Sequence, residues 1–377
     1  MAQAIEIPIP SDEANEDKIF VATQWQLMWW RFRRHHLAMI GLAVIIILYL
    51  VVIFADFVAY SYPEDSQAAR ALIPPQSIHF IDQGRYLPYV YRVAGGRDPK
   101  TFQLVYHVDT SKKIYLRLFA PGFAYNLFGV IPTNIHLLGT WNARPEDTLF
   151  ILGTDVQGRD LFSRLMYATR TSLTIGLVGV TFSLILGITL GGMSGYFGGV
   201  IDMVIQRLIE ILRSIPTIPL WMGLAAAMPK SWSITQVYFA ITLIISLLAW
   251  TDLARVVRGR FLALREEDFV TAADLIGCSR PRIIFVHMVP SFLSHIIAAT
   301  TLALPAMIIS ETSLSFLGLG LRPPALSWGV LLQNAQNIQT IALSPWLLIP
   351  AIPVIVAVLA FNFVGDGLRD AADPYGI

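Results

Sequence analysis

The sequence predicts an all-α polytopic membrane protein with about six transmembrane helices and an inserted small, mostly β extracytoplasmic domain. Three observations predict this fold class. Apolar residues make up 55% of the 377 residues and charged residues only 14%, whereas about a quarter of a soluble domain is charged. The apolar residues fall in long runs without charge. Between the first two runs lies a polar, turn-rich segment, roughly 61–150, in which we find no stretch that could cross a bilayer.

The net charge and the cysteine content exclude several kinds of function. Lysine and arginine total 27 and the acidic residues 26, so the net charge is +1, which indicates no general attraction to nucleic acid. Cys278 is the single cysteine, which excludes an intramolecular disulfide and a cysteine-based zinc site. The sequence predicts no catalytic residue and no metal site.

Residues 1–36 are predicted to form a cytoplasmic tail, of which 1–20 is acidic and expected to be disordered. After this stretch, apolar residues recur at helical spacing and basic residues follow: Trp25, Met28, Trp29 and Phe32, then Arg31, Arg33, Arg34, His35 and His36. The pattern fits an amphipathic helix on the membrane surface. It fits an N-terminal extension of the first span equally well, and both interpretations stay open.

The first span is predicted within residues 37–60. Residues 37–55 carry no charge and are long enough to cross a hydrocarbon layer of about 30 Å. The run exceeds the apolar core of a cleaved signal, about 7–15 residues, so it is predicted to remain as an anchor. The arginines before it predict a cytoplasmic N-terminus.

The segment 61–150 is predicted to be the extracytoplasmic domain. Alternating patterns at 102–106 and 114–118 predict strands. Its histidines and aspartates allow the alternative of a membrane-anchored receptor with a metal site, although their spacing matches no known pattern and scattered surface positions are favoured: His79, His107, His136, Asp82 and Asp109.

The other spans are predicted within 151–377, at 171–201, 202–228, 234–250, 290–310 and 346–364. Gly187 and Gly191 repeat at i+4 spacing and predict close packing against another helix, while Gly198–Gly199 predicts a turn. In the third span, Glu210 is expected to pair with an arginine three residues away, and Pro216 and Pro219 predict a kink.

The charges of the loops predict the orientation. The loop 251–289 carries six arginines, whereas the loops 229–233 and 311–344 carry only Lys230 and Arg322. Because cytoplasmic loops are enriched in basic residues, both termini are predicted to be cytoplasmic.

The loop 251–289 also has a helical pattern. Phe269, Ala272, Ala273 and Ile276 are predicted to share one face of a helix that ends at Gly277. Ser279 is expected to cap a second helix with Pro281 in its first turn. Such a bent pair suits the close approach of a partner protein, or a helix that simply lies on the bundle. The residues alone leave both open.

Thr271-Ala272-Ala273, Gly277 and Val289-Pro290 resemble the EAA loop of ABC importer permeases, with Thr271 in place of a glutamate and Val289 in place of a leucine. The resemblance implies a coupling helix that contacts an ATPase. Its contact residues would be Phe269, Thr271, Ala272, Ala273, Asp274, Leu275, Gly277 and Pro290. Three further stretches are similar to the dipeptide/oligopeptide branch: LGTDVQGRDLFSR at 152–164, ETSLSFLGLG at 311–320 and GLRDAADP at 367–374. The position of the insert, after the first span, resembles the C-type subunit.

The resemblance implies a multi-pass protein of the bacterial inner membrane, in contact with lipid. The implied partners are a second permease subunit, two cytoplasmic ABC ATPases and a periplasmic solute-binding protein. The chain has no G-x-x-x-x-G-K-[ST] phosphate loop, so no cofactor is expected on it, and ATP and magnesium would belong to the partner ATPases. Peptides, oligosaccharides, opines and nickel chelates all remain possible cargoes. A secondary transporter is the alternative, but the span centres lack Asp, Glu, Lys and Arg.

Overall fold

The computed structural model describes residues 23–97, 100, 104–141, 148–229 and 231–372. The acidic tail 1–20, Phe102, Lys230 and the last two residues of the GLRDAADP stretch lie outside the described residues.

The described chain is mainly helical and carries one antiparallel sheet. Eleven helices matter for the argument: α1 Gln24–Arg34, α2 His36–Ile53, α3 Leu161–Phe197, α4 Gly199–Ser214, α5 Thr217–Ala226, α6 Ile234–Leu264, α7 Asp268–Leu275, α8 Leu293–Phe316, α9 Trp328–Gln333, α10 Ile338–Leu343 and α11 Ala351–Ala372. The strands are β1 Ile78–Asp82, β2 Arg85–Arg97, β3 Leu104–Leu127 and β4 Ile131–Thr140.

Five of the described helices are long and apolar enough to span a membrane: α2, α3, α6, α8 and α11, the last counted with the short turn before it. The pair α4–α5 passes the same test jointly and is bent by 86°. The prediction of about six spans is therefore confirmed as five helices of sufficient length and apolarity, or six if the bent pair is one span.

The break between α4 and α5 has a local cause. Pro216 has no amide hydrogen and restricts the residue before it to extended backbone. Ile215 accordingly has φ −90° and ψ 128°, outside the helical region. The predicted kink is thus a sharp bend between two separate helices.

Three helices extend beyond the predicted spans and include charged residues whose side chains have partners. Helix α3 begins at Leu161 rather than near 171, and its Arg170 bonds Asp56 Oδ2 at 2.6 Å. Helix α6 continues past 250 to Leu264. Helix α8 continues past 310, and Glu311 lies fully buried within it, so the prediction that 311 begins an external loop is wrong.

The segment between α2 and α3 contains the predicted β structure. The four strands pair in sequence order, each antiparallel to the next. The described parts of the two predicted strand patterns, 104–106 and 114–118, belong to a single long strand, β3, which pairs first with β2 and then with β4. Lys113 Nζ lies 2.6 Å from Asp82 Oδ1, and this hydrogen bond, with one from Tyr115, lowers the pKa of Asp82.

A buried group of polar residues joins the end of the first span to the start of α3. We call it the polar junction: Tyr60, Asp155, Arg159, Asp160 and Arg164, all but Tyr60 almost fully buried. Arg159 Nε donates to Asp155 Oδ2 at 2.7 Å, and Tyr60 donates its hydroxyl to Asp160 at 2.8 Å. Arg164 lies beside Asp155 and also donates to the carbonyl of Pro63 at 2.8 Å. The junction therefore fixes the chain that leaves the first span against α3.

Candidate functional site

The loop between α6 and α8 is built around the short helix α7. On its inner side, Val270 and Ala273 are buried in an apolar cluster with Val257 and Phe261 of α6 and Ile283. These two residues, three positions apart, form the stripe that holds α7 on the bundle.

Helix α7 ends as the sequence predicts. Gly277 has φ +79°, a left-handed conformation that glycine adopts without a steric penalty. The amide of Gly277 donates to the carbonyl of Asp274, and that of Cys278 donates to the carbonyl of Ala273. These two bonds are the Schellman motif, so the predicted C-terminal glycine cap is confirmed.

The outer side of α7 is exposed and carries apolar side chains at its tip. Leu275 and Ile276 at its tip are 82% and 80% exposed, and Phe269 is 41% exposed. Thr271, Ala272 and Asp274 are also exposed.

The predicted face of α7 is wrong for one of its members. Ala273 is 6% exposed and faces the helix bundle, whereas Phe269, Ala272 and Ile276 face outward. The sequence pattern failed here because Ala273 is compatible with both a buried and an exposed stripe, and Val270 fixes which stripe is buried.

The second half of the loop returns to the bundle through irregular helical turns. Ser279 precedes the short turn Arg280–Arg282, with Pro281 in that turn as predicted, although the Ser279 side chain makes no capping bond. A six-residue π-helix, Ile283–Met288, follows, and the exposed Pro290 lies in the turn Val289–Ser291.

Helix α6 runs directly into this loop and is held to α4 by two ion pairs. Arg258 of α6 donates twice to Asp202 of α4, both bonds at 2.6 Å. Arg213 of α4 pairs with Asp252 of α6. We call these contacts the α4–α6 ion pairs. The predicted pair within α4, Arg207 with Glu210, forms at 2.9 Å and is exposed.

Glycines bring α3 close to α6. A Cβ added at Gly187 would lie 2.8 Å from the Leu253 side chain, and one at Gly191 would lie 2.5 Å from the Ala254 carbonyl oxygen. The row continues at Gly195, whereas Gly198 and Gly199 both have positive φ and form the predicted turn.

A cavity of about 550 Å³ lies between α3, the broken pair α4–α5, α6 and α8. Most of its lining is apolar, and the lining includes Ser183, Trp221, Leu248, Asp252, Ala303 and Met307.

The histidines and aspartates of the receptor alternative do not form a metal site, as the sequence analysis favoured. In the described part of the chain, no group of three His, Cys, Asp or Glu side chains could hold a metal ion. His136 is buried rather than on the surface, with its ring nitrogens 3.0 Å from the carbonyls of Asp56 and Phe123. His79 stacks on Tyr89. These contacts are structural.

Sequence comparison decides the family. Residues 187–375 match the model of the binding-protein-dependent transport system inner membrane component, and residues 23–75 match the N-terminal transmembrane domain of oligopeptide transport permease C. The chain belongs to this transport family. It is a multi-pass permease of an ABC importer and not the ATPase.

Two OppC proteins agree with this assignment. The oligopeptide transport system permease protein OppC of Haemophilus influenzae is 41% identical over 223 residues, which cover 59% of this chain and 69% of the relative. OppC of Bacillus subtilis is 34% identical over 262 residues, which cover 69% and 81%. Among solved structures, a chain of the inward-facing MetNI methionine ABC transporter is 19% identical with a TM-score of 0.45, covering 56% of this chain and 97% of that one.

Proposed function

We propose that this chain forms half of the translocation path for peptides or similar solutes, with a second permease subunit as the other half. The names of the relatives support this cargo, since they are oligopeptide and dipeptide permeases. A solute-binding protein delivers the cargo, and two ATPases that hold ATP and magnesium drive its passage. The cavity between α3, α4–α5, α6 and α8 is the candidate surface for the path.

We also propose an orientation in the bacterial inner membrane, with both termini and α7 on the cytoplasmic side. The six arginines of the loop 251–289 support this orientation. The sheet β1–β4 then faces the periplasm, where its position supports a contact with the solute-binding protein.

The coupling role rests on one observation: α7 is fixed to the bundle by Val270 and Ala273 and presents Leu275 and Ile276 to solvent. Exposed aliphatic side chains at the tip of an anchored helix are typical of a surface that a partner protein covers. Displacement of α7 by the ATPase would be passed to α6, because α7 packs against Val257 and Phe261 of α6.

Leu275→Asp tests this role. A charge in an apolar contact is expected to weaken ATPase binding by about 2 kcal/mol, the scale of an important interface residue. Both the ATPase retained during purification of the complex and the ATP-driven uptake into proteoliposomes should fall. Leu343→Asp is the matched control, because Leu343 of α10 is 79% exposed and distant in sequence. Equal ATPase retention in the two variants would contradict a coupling role for α7.

The alternative of a secondary transporter is tested in the same proteoliposomes. Uptake that requires ATP and persists after the proton gradient is collapsed supports the ABC mechanism. Uptake that proceeds without ATP and stops with the gradient contradicts it.

The α4–α6 ion pairs give a further prediction for coupling. Since they join α6 to the helix that lines the cavity, Asp202→Asn is expected to lower the amount of solute moved per ATP hydrolysed, severalfold at most because the pair is partly exposed. The exchanged pair Asp202→Arg/Arg258→Asp should restore part of the ratio. Glu210→Gln, which breaks the exposed pair within α4, should leave it unchanged. An unchanged ratio in Asp202→Asn shows that these pairs do not transmit the motion.

A further inference from the structure

Helix α1 is a structural element separate from the first span. Thr23 and Gln26 form a capping box at its start. At its end, His35 has φ −85° and ψ 95°, which is extended backbone. The His35 ring nitrogen Nδ1 then accepts a bond from the amide of Ala38 and caps the next helix, α2. Helix α1 is therefore not the first turn of the span.

Only one side of α1 is covered by the rest of the chain. Phe32 is buried and Met28 half-buried in a cluster with Ala38 of α2 and with Val364 and Ala371 of α11. A Cβ added to Gly367 of α11 would lie 3.3 Å from the Phe32 ring, so the contact is tight.

The uncovered part of α1 carries three tryptophans and basic residues. Trp25, Trp29 and Trp30 are 51%, 47% and 39% exposed, and Arg33 and Arg34 of the last turn are exposed as well. Trp29 and Arg33 are four positions apart, as are Trp30 and Arg34, so each of these tryptophans is adjacent to an arginine on the helix surface. No acidic residue occurs between Gln24 and Arg34.

We propose that α1 lies in the membrane interface and binds the phosphodiester headgroups of anionic phospholipids through Arg33 and Arg34. Indole rings favour the level of the headgroups, because one part of the ring is apolar and its N–H is polar. A guanidinium donates two parallel hydrogen bonds to a phosphate. The aromatic rings set the depth of the helix, and the arginines select negatively charged lipid.

The bilayer is the favoured occupant because this surface is continuous with a lipid-facing one. Helix α2 begins two residues after Arg34, and its outward residues Leu37, Ile40 and Ile47 are about half exposed. In a protein that belongs to a membrane family, such an apolar outer face contacts hydrocarbon. Arg33 and Arg34 are therefore placed at the depth of the adjoining headgroups.

The test compares lipids retained by the assembled importer. The complex is purified from nanodiscs that contain phosphatidylcholine and phosphatidylglycerol, and the lipids that remain bound are counted by native mass spectrometry. The wild type is expected to retain phosphatidylglycerol in preference to phosphatidylcholine. Arg33→Gln/Arg34→Gln should reduce the apparent affinity by about fivefold for each arginine, the effect of a basic residue near an anionic surface. Arg33→Lys/Arg34→Lys keeps the charge and should retain most of the binding.

Three outcomes overturn the proposal. In the first, the glutamine variant retains as much phosphatidylglycerol as the wild type. In the second, the wild type shows no preference between the two lipids. In the third, the glutamine variant loses a protein subunit while its lipid count is unchanged, which assigns the surface to a protein partner. Transport activity is not the readout, so the result is independent of the cargo and of the role of α7.

Discussion

Asp155→Asn is expected to destabilise the folded chain by about 3–5 kcal/mol, the usual effect of removing one member of a buried ion pair. Asp155 is fully buried and accepts hydrogen bonds from the side chain and amide of Arg159 and from the amide of Gln157. Arg164 is 2% exposed and lies beside the same carboxylate. Without the negative charge of Asp155, the two buried arginines lose the carboxylate that both of them contact. The loss is measured as the free energy of unfolding in detergent micelles.

Asp65→Asn is the control for this prediction. Asp65 lies in the chain that the polar junction holds, and its side chain is exposed. The same chemical change there should alter the free energy of unfolding by less than about 0.5 kcal/mol, as is usual for surface substitutions. If the two variants unfold alike, the junction does not stabilise the fold.

Gly191→Ala is the second substitution with a large expected effect. The new methyl group would lie 2.5 Å from the Ala254 carbonyl oxygen and 2.9 Å from the Ala254 Cα. Both atoms belong to the backbone of α6, so no side-chain rotation relieves the overlap and the helices must separate. We expect a loss of about 1–3 kcal/mol in the free energy of unfolding, as for other overpacked sites. Transport should also fall, because α6 leads into α7.

Gly259→Ala separates packing from the intrinsic effect of glycine in a helix. Gly259 lies in α6, and no atom lies within 4 Å of a Cβ added there. Alanine favours a helix by about 1 kcal/mol over glycine, so this variant should be unchanged or more stable. A Gly191→Ala variant as stable as Gly259→Ala would contradict close packing of α3 on α6.

Hydropathy and motifs predict much of this architecture because those signals are local. The apolar runs locate the membrane helices, Pro216 marks the bend between α4 and α5, and Gly277 marks the end of α7. The full lengths of α3 and α8 are harder to predict, since both helices include charged residues whose partners are distant in sequence. Arg170 of α3 pairs with Asp56, and Glu311 of α8 accepts a hydrogen bond from Ser172.

In the candidate site, too, local features are predicted from the sequence and features that depend on packing are not. The helical pattern predicts α7, but it places Ala273 on the wrong side of the helix. Leu275 is named only by the resemblance to the EAA loop. Glu311 is the residue whose setting the sequence conceals most. Its carboxylate is fully buried and accepts hydrogen bonds from the hydroxyls of Ser172 in α3 and Ser315 in α8. These groups meet only because α3 packs against α8. In the sequence alone, a charged residue after an apolar run is indistinguishable from one that ends a span.

Helix α6 has 31 residues without a break, and at 1.5 Å per residue it is about 46 Å long. The hydrocarbon layer is about 30 Å thick. If the helix crosses upright, roughly 15 Å of it extends past the hydrocarbon. Helix α7 packs against Val257 and Phe261 near the end of α6. In the proposed orientation, α7 would therefore lie beyond the hydrocarbon, where a cytoplasmic ATPase could reach it without entering the bilayer.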